Sequence, residues 1–138
     1  MKIIQIVGLS NSGKTTFIKT LIPKLKKKGR VAVIKHMGDH DFTLETGKDT
    51  TEFFDAGAEI SAGMDAGKTV ISMRTTVLDD VLRMLSDRNI DFAIIEGFKQ
   101  RSFPKIVLGD LAVDHCILSN PTTDEVIASL NLFQNFVR

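Results

Sequence analysis

The apolar positions of this chain fall into short continuous runs. The runs KIIQIVGL, RVAVIKH and IDFAIIEGF are rich in Ile and Val and show little alternation with polar residues. Such runs are typical of strands that are buried on both faces of a parallel sheet. PKIVLGD and HCILSN indicate two further strands in the second half of the chain. The apolar pattern therefore predicts a mainly parallel sheet.

Stretches with helical spacing of apolar residues separate these runs. The first follows the glycine-rich segment GLSNSGKT, and Pro23 predicts a kink or an early end of this helix. DTTEFFDAGA has the composition of a short helix, and TTVLDDVLRMLSDRN predicts an amphipathic one. Thr76 and Asp79 have the spacing of a capping box at its start. Thr122 and Glu125 repeat this spacing, which predicts a closing helix over PTTDEVIASLNLFQNFVR.

The order of these elements predicts a single domain over residues 1–138. EISAGMD and KTVISMR indicate two short strands that are joined near Ala66 and Gly67 as a hairpin. Around this excursion, strands and helices alternate along the chain. That alternation is typical of a three-layer α/β domain, in which helices flank a mainly parallel β-sheet.

Composition and charge exclude several classes of protein. The chain has 138 residues, of which 43% are hydrophobic and 25% charged, as in ordinary globular proteins. The net charge of +1 gives no reason to expect nucleic-acid binding, and no apolar run reaches the length of a membrane span. Cys116 is the only cysteine, which excludes an internal disulfide and favours a reducing compartment. We therefore expect a cytoplasmic protein.

The strongest chemical signal directly follows the first predicted strand. The spacing Gly8-x-x-x-x-Gly13-Lys14-Thr15 is that of the phosphate loop of P-loop NTPases. Its glycines let successive backbone N–H groups point at phosphate oxygens, and the following helix adds its positive end. Lys14 can reach the β- and γ-phosphates, and the Thr15 hydroxyl can ligate Mg²⁺. The residues expected to hold the phosphates are Gly8, Ser10, Asn11, Ser12, Gly13, Lys14, Thr15 and Thr16.

A second signal is the acid that ends the run DFAIIEGFK. Glu96 follows a buried strand, which is the Walker B arrangement that orients Mg²⁺ near the phosphates, and Gly97 forms the turn after it. Asp91 begins the same strand and is expected at the opposite edge of the sheet. Glu96 is therefore the predicted metal-positioning residue, with Lys14 as the second residue expected to take part in chemistry.

A long polar stretch, KHMGDHDFTLETGKD, follows the second predicted strand. Its start is expected at the ligand-binding edge of the sheet, where Asp39 and Asp41 can supply a second Mg²⁺ contact. A transition-metal site is the alternative, because His36 and His40 are four residues apart, although Gly38 between them disfavours a helix. Lys35 and Lys48 can contact phosphate or be solvated surface charges.

Together these residues resemble the molybdopterin-guanine dinucleotide biosynthesis protein B (MobB) family. The matching pieces are GLSNSGKTT, IKH, GKDTTEFFDAGA, IIEGFK and PKIVL, which occur in the family's order over residues 3–108. A phosphate loop alone is shared by many families, whereas GKD-T…AGA with EGFK…KIVL is much more specific.

The resemblance implies a GTP-binding P-loop protein that uses Mg²⁺. It also implies a partner nucleotidyltransferase that attaches GMP to molybdopterin, and a homodimer formed through added β-structure near residues 58–74. By the same resemblance, the residues that match the family's second loop are Lys35, His36, Gly47, Lys48 and Asp49. The stretch GDHD departs from the consecutive histidines of many members, so no role is transferred to His36 or His40.

The sequence contains no NKxD motif for guanine recognition, and NPTTD is at most a distant counterpart. Asp124 within this stretch can accept hydrogen bonds from guanine. The favoured interpretation is that it lies in the first turn of a helix, near the positive end of the helix dipole. GTP specificity therefore rests on the resemblance. Slow or partner-dependent GTP hydrolysis is the first hypothesis. The alternatives are a small-molecule kinase or ATP-dependent ligase that binds its acceptor at residues 36–49, and a nucleotide-binding adaptor without hydrolysis.

Overall fold

The fold alternates strands and helices, with a separate hairpin in the middle of the chain. The computed structural model describes residues 1–38 and 40–138. The strands are β1 (Lys2–Gly8), β2 (Val31–Lys35), β3 (Ile60–Met64), β4 (Thr69–Met73), β5 (Phe92–Glu96), β6 (Lys105–Leu108) and β7 (Cys116–Ser119). The helices are α1 (Lys14–Lys26), α2 (Asp49–Asp55), α3 (Leu78–Asp87), α4 (Thr123–Ala128) and a 3-10 turn (Leu130–Leu132).

The main sheet has the strand order β2-β5-β1-β6-β7, and every neighbouring pair in it is parallel. Because the strands run parallel, their carboxyl ends meet at one edge, where open α/β sheets bind ligands. β2 was expected to be buried like β1, and this is wrong. β2 lies at the edge of the sheet, and Val33 is 45% exposed.

Helices cover both faces of this sheet, as the three-layer prediction requires. On one face, α1 and α4 pack on β1, β5 and β6 around a core that includes Ile4, Leu21, Ile94, Ile106 and Val126.

On the other face, α3 packs with Phe103 on Ile3, Ala93 and Ile95. Phe103 belongs to the irregular connection from β5 to β6, residues 97–104, which we call the crossover segment.

The predicted hairpin is confirmed as an antiparallel pair of β3 and β4. One face of the pair packs on α2, where the Ser61 hydroxyl donates to the Thr50 carbonyl oxygen at 2.7 Å. The opposite face exposes the apolar side chains of Ile60, Met64 and Ile71. The hairpin thus carries an uncovered apolar surface away from α2.

Three local predictions at helices meet different outcomes. Thr122 caps α4, because its hydroxyl accepts from the Glu125 amide at 3.1 Å, but α4 is shorter than predicted. The proposed box at Thr76 is wrong, since α3 has Val77 at its N-cap and lacks a side-chain cap within the described residues. α1 contains Pro23 and continues to Lys26, so the helix does not end at the proline. No helix of the described residues has the length and apolarity needed to cross a membrane.

Candidate functional site

The segment between β1 and α1 forms a tight loop at the carboxyl edge of the sheet. β1 ends at Gly8 and α1 begins at Lys14, as the motif predicts. Asn11 and Gly13 have left-handed backbone conformations, with φ of 64° and 87°, which curl the chain between them. Within the described part of the chain, no side chain caps the start of α1. The amide groups of its first turn are therefore available to an anionic ligand.

Gly8 lies where the phosphate loop approaches β6. A Cβ atom at this position would lie 2.5 Å from Ser12 Oγ and 2.6 Å from the carbonyl oxygen of Leu108. Both distances are far below van der Waals contact, so a side chain here would push the loop away from the sheet. The first glycine of the motif is thus required by close packing rather than by its φ angle.

The Lys14 side chain folds back over the loop. Its Nζ atom donates to the carbonyl oxygens of Gly8 at 2.7 Å and Leu9 at 2.8 Å, and lies 3.4 Å from Ser12 Oγ. These contacts place a positive charge inside the curve of the loop. An anionic ligand on the loop amides would therefore lie close to this charge.

Glu96 and Lys35 end the neighbouring strands β5 and β2. The two residues are register partners, and Lys35 Nζ lies 3.8 Å from Glu96 Oε1. The Glu96 side chain is 13% exposed, whereas that of Lys35 is 55% exposed. Asp91 lies at the other end of β5, where its carboxylate accepts from the Arg30 amide at 2.7 Å. Glu96 is therefore the acid of β5 that lies at the ligand-binding edge.

The loop, α1 and these two strand ends surround an open cavity of about 460 Å³. Its wall gathers eight residues from the predicted site: Ser10, Asn11, Gly13, Lys14, Thr15, Thr16, Lys35 and Glu96. Residues from α1, β2 and β5 therefore converge on one space, with two cations and one carboxylate among the described lining groups.

Other residues of the predicted site lie outside this wall. Lys48 precedes α2 and lies with its Nζ 3.8 Å from Glu45 Oε1, and Asp49 is the first residue of α2. Asp41 lies in an exposed loop, and Asp39 falls outside the described residues. The predicted second Mg²⁺ contact from Asp39 and Asp41 therefore stays a prediction.

His36 and Gly97 adjoin the site without lining it. The His36 ring stacks on Phe98, with centroids 4.3 Å apart and planes inclined by 24°. The His36 amide donates to the Glu96 carbonyl oxygen at 2.9 Å. Gly97 has φ of 93°, and a Cβ on it would lie 2.9 Å from His36 Cβ. Phe98 escaped the sequence analysis, because its role depends on a contact between different strands.

Two buried polar residues also escaped the sequence analysis. Gln5 in β1 is 0% exposed and Lys105 in β6 is 1% exposed, and both lie beneath the crossover segment. Gln5 interrupts the apolar run IIQIV, and that interruption is the signal that could have found it. Lys105 stands at the start of the run KIVL, where the sequence pattern makes it look like an ordinary strand-end lysine.

The stretch NPTTD joins the end of β7 to the first turn of α4. The carboxylate of Asp124 accepts from Lys24 Nζ at 2.8 Å, in the first turn of α4. The side chain of Asn120 accepts from the Gly109 amide at 2.7 Å, which ties the ends of β6 and β7 together. The helix-start interpretation of Asp124 therefore agrees with its position.

The donor groups in the cavity suit Mg²⁺ better than a transition metal. Among the described residues, no group of three or more His, Cys, Asp and Glu side chains is placed to hold a metal ion. Thr15 and Glu96 both line the cavity and offer one hydroxyl and one carboxylate. Mg²⁺ is commonly held by one or two such oxygens together with phosphate oxygens and water. The residues present therefore fit a Mg²⁺ ion that arrives with a polyphosphate.

The fold and this loop define a class of protein. It is the class of three-layer α/β domains in which the first strand of a parallel sheet leads through a Walker A sequence into a helix. Within that class, the sequence model of "Molybdopterin guanine dinucleotide synthesis protein B" matches residues 3–131. The chain belongs to this family, MobB, as its motifs suggested.

Individual relatives agree with this assignment. A Methanocaldococcus jannaschii protein is 39% identical in an alignment 125 residues long, and the alignment covers 83% of this chain and 53% of that protein. The Haemophilus influenzae molybdopterin-guanine dinucleotide biosynthesis adapter protein is 36% identical in an alignment 110 residues long, which covers 77% of this chain and 62% of that protein. The chain thus spans between half and two thirds of the length of these two relatives.

Solved structures resemble the fold over nearly the whole chain. The crystal structure of Bacillus subtilis MobB superimposes with a TM-score of 0.73 and 25% identity, over 99% of this chain and 100% of that one. A crystal structure of molybdopterin-guanine biosynthesis protein B gives a TM-score of 0.64 and 28% identity, over 94% and 95% of the two chains. The mainly parallel sheet with its flanking helices is therefore a feature of the family's fold.

Proposed function

We propose that this protein binds GTP with Mg²⁺ and acts as an accessory protein in the biosynthesis of molybdopterin guanine dinucleotide. The observation that carries the proposal is the convergence of Lys14, Thr15, Lys35 and Glu96 on one cavity at the carboxyl edge of the sheet. The names of its relatives support the pathway, and guanine in the product supports GTP among the nucleotides.

Each of these residues has a distinct role in the proposal. The loop amides and the start of α1 bind the phosphate oxygens, and Lys14 neutralises charge on the β- and γ-phosphates. Thr15 and Glu96 hold the Mg²⁺ ion or its water ligands. Bound there, Mg²⁺ would disperse the negative charge of the phosphates. Lys35 adds a second cation on the β2 side and keeps the Glu96 carboxylate directed towards the loop.

Hydrolysis by this protein alone should be slow. P-loop enzymes that hydrolyse GTP rapidly need a side chain to orient the attacking water and a further cation for the transition state. The described residues that line the cavity include no Gln, Arg or His. We therefore propose that a partner nucleotidyltransferase, which attaches GMP to molybdopterin, supplies the missing groups or uses the nucleotide itself.

A titration with GTP, ATP and CTP in the presence of Mg²⁺ tests this proposal. Wild type should prefer GTP, and Lys14→Ala should lose most of the affinity. Lys19→Ala is the matched control, because Lys19 is an exposed lysine of the same helix. Equal affinity for the three nucleotides would contradict the assignment of GTP, and unchanged binding by Lys14→Ala would contradict the assignment of the loop.

One observation favours a small-molecule kinase or ligase as the second candidate. A cavity of about 430 Å³ adjoins the phosphate site, shares Lys35 with it, and has His36, Phe42 and Phe98 in its wall. An acceptor molecule could occupy this space. ATP preference together with transfer of phosphate to a metabolite would establish this candidate. Persistent nucleotide binding with no turnover in wild type and Glu96→Gln would instead establish a pure adaptor.

We also propose that two copies associate through the exposed face of the hairpin. An isolated two-stranded sheet is at best marginally stable in water, and this one leaves Ile60, Met64 and Ile71 uncovered. Light scattering should report a dimer for wild type and a monomer for Ile71→Asp. Val70→Asp is the matched control, because Val70 is exposed on the α2 side of the hairpin. A monomeric wild type would contradict the proposal.

A further inference from the structure

The crossover segment is an unusual connection for a parallel sheet. It leaves β5 at the carboxyl edge, passes over β1 and enters β6 at the opposite edge. Such connections are usually helices, whose backbone groups bond to one another. An irregular segment that lies against a sheet must find other donors for its carbonyl groups, because unpaired polar groups are costly to bury.

Gln5 and Lys105 supply these donors. The two residues are register partners on β1 and β6, so their side chains leave the sheet on the same face. Gln5 Nε2 donates to the carbonyl oxygens of Gly97 and Phe98, at 2.7 Å each. Lys105 Nζ donates to the carbonyl oxygen of Phe103 at 3.2 Å and to that of Arg101.

The burial of Lys105 shows that this arrangement is maintained at an energetic cost. Desolvation lowers the pKa of its ammonium group, and the charge of Asp114 opposes that shift. A methionine would fill a similar volume in the core without this penalty. The benefit of lysine at this position is therefore its hydrogen bonds to the backbone of the crossover segment.

The crossover segment begins immediately after Glu96. Gly97 is held from both sides, because its amide donates to the Ile6 carbonyl oxygen at 3.1 Å while its carbonyl accepts from Gln5. Phe98 follows in a left-handed conformation, with φ of 55°, and stacks on His36. Gln5 is therefore one of the groups that hold the backbone on the carboxyl side of Glu96, and it is the one that bonds to two successive carbonyl groups there.

We propose that Gln5 and Lys105 are positioning residues, which anchor the crossover segment so that the Glu96 carboxylate faces the phosphate loop. The consequence for Mg²⁺ rests on the proposed function, whereas the placement of Glu96 does not. Removing a group that orients a metal-binding carboxylate commonly lowers metal affinity by about 10- to 100-fold. The phosphate loop is formed by other residues and should retain its affinity for nucleotide without Mg²⁺.

The test compares Gln5→Leu and Lys105→Met with Lys99→Met, a matched control because Lys99 is an exposed lysine of the same segment. The first readout is the carbon-13 resonance of the Glu96 carboxylate without nucleotide, which should shift in the two variants and remain unchanged in the control. The second is the enhancement of GTP affinity by Mg²⁺, which should fall about 10-fold or more in the variants. Affinity without Mg²⁺ should stay at the wild-type value.

Two results would overturn the inference. One is an unshifted Glu96 resonance in a variant that remains folded, and the other is an equal loss of affinity with and without Mg²⁺. Gln5→Leu keeps the inference testable if Lys105→Met fails to fold, because leucine suits the apolar core of that face. If wild type binds no nucleotide, the proposed function fails, and the Glu96 resonance alone then decides between positioning and simple packing.

Discussion

Lys35 and Glu96 end adjacent parallel strands with Lys35 Nζ 3.8 Å from Glu96 Oε1, and both side chains line the cavity beside the phosphate loop. Their separation along the chain is large, so parallel pairing of β2 with β5 creates the contact. The pair combines a half-exposed cation with a largely buried carboxylate. Because Lys35 is half-exposed, its replacement should affect ligand binding more than folding stability.

Lys35→Met should weaken nucleotide binding with little effect on folding. Lys35 is half-exposed and its Nζ lies 3.8 Å from Glu96 Oε1, so this long ion pair should contribute only about 0–1 kcal/mol to stability, and the melting temperature should barely change. Loss of a cation at the phosphates should lower triphosphate affinity about 5- to 10-fold, which corresponds to roughly 1 kcal/mol of attraction. Calorimetric titration measures this change. Lys99→Met is the control, because Lys99 is an exposed lysine outside the cavity wall, and an equal loss in it would contradict the assigned role of Lys35.

Gly97→Ala should destabilise the protein and disturb the end of β5. Gly97 has φ of 93°, and its new Cβ would lie 2.9 Å from His36 Cβ. A left-handed conformation costs an alanine about 1–2 kcal/mol, and relief of the contact would move His36 away from Phe98. Denaturant unfolding measures the loss. Gly67→Ala is a suitable control, since the nearest atom to its new Cβ is 3.6 Å away. Identical unfolding curves for the two variants would contradict the expected strain at Gly97.

Asp79 should contribute stability that disappears in acid. The pKa of Asp79 is lowered from its ordinary value of 3.8, chiefly by hydrogen bonds from Arg101 at 2.8 and 3.2 Å, against a smaller rise from burial. A lowered pKa in the folded state means that the contribution is fully present above the unfolded pKa, and is lost as pH falls through the folded pKa. About a third of each side chain is exposed, so solvent limits the effect to about 1 kcal/mol or less.

The measurement is the difference in unfolding free energy between wild type and Asp79→Asn as a function of pH. This difference should be constant at neutral pH and should shrink as the pH falls below 3.8. Arg101→Met should remove the same pH dependence, because it removes the cause of the lowered pKa. If the difference in unfolding free energy instead grew as the pH fell, the expected sign of the pH dependence would be wrong.

Thr122→Ala should destabilise α4, whereas Thr76→Ala should have little effect. The Thr122 hydroxyl accepts from the Glu125 amide at 3.1 Å, and loss of such a cap costs about 1 kcal/mol. Thr76 has the same sequence spacing but lies before Val77, the N-cap residue of α3. Thermal unfolding of both variants and of Thr122→Ser, which keeps the hydroxyl, checks this expectation. Similar losses of stability in Thr122→Ala and Thr76→Ala would indicate that Thr76 also caps its helix, as the sequence pattern predicts.

Parts of the site were predictable because their information is local. The phosphate loop needs glycines at fixed spacing between a strand and a helix, and the bonds from Lys14 to Gly8, Leu9 and Ser12 lie within seven residues of chain. The position of Glu96 could be predicted because it is the first polar residue after a buried apolar run, and it therefore lies at the end of the strand. Family membership followed from several such local pieces in a fixed order.

Other parts required contacts between distant segments. The run VAVIK has the apolar character of a central strand, yet β2 has only one neighbour in the sheet, since the order of strands is decided by their pairing. Thr76 and Asp79 match a capping box, but Asp79 pairs with Arg101 of the crossover segment. In both cases a tertiary contact outweighed the local pattern.

The sequence by itself determined the α/β alternation, the glycine-rich loop between β1 and α1, the acid at the end of β5 and the hairpin. Hydrophobic periodicity and turn chemistry act over a few residues, and one chain therefore displays them directly. Only the tertiary structure decided that Lys35 lies beside Glu96, and that Gln5 and Lys105 hold the segment after Glu96. Those relationships depend on strand order and on which carbonyl groups are left without partners, and both are properties of the assembled sheet.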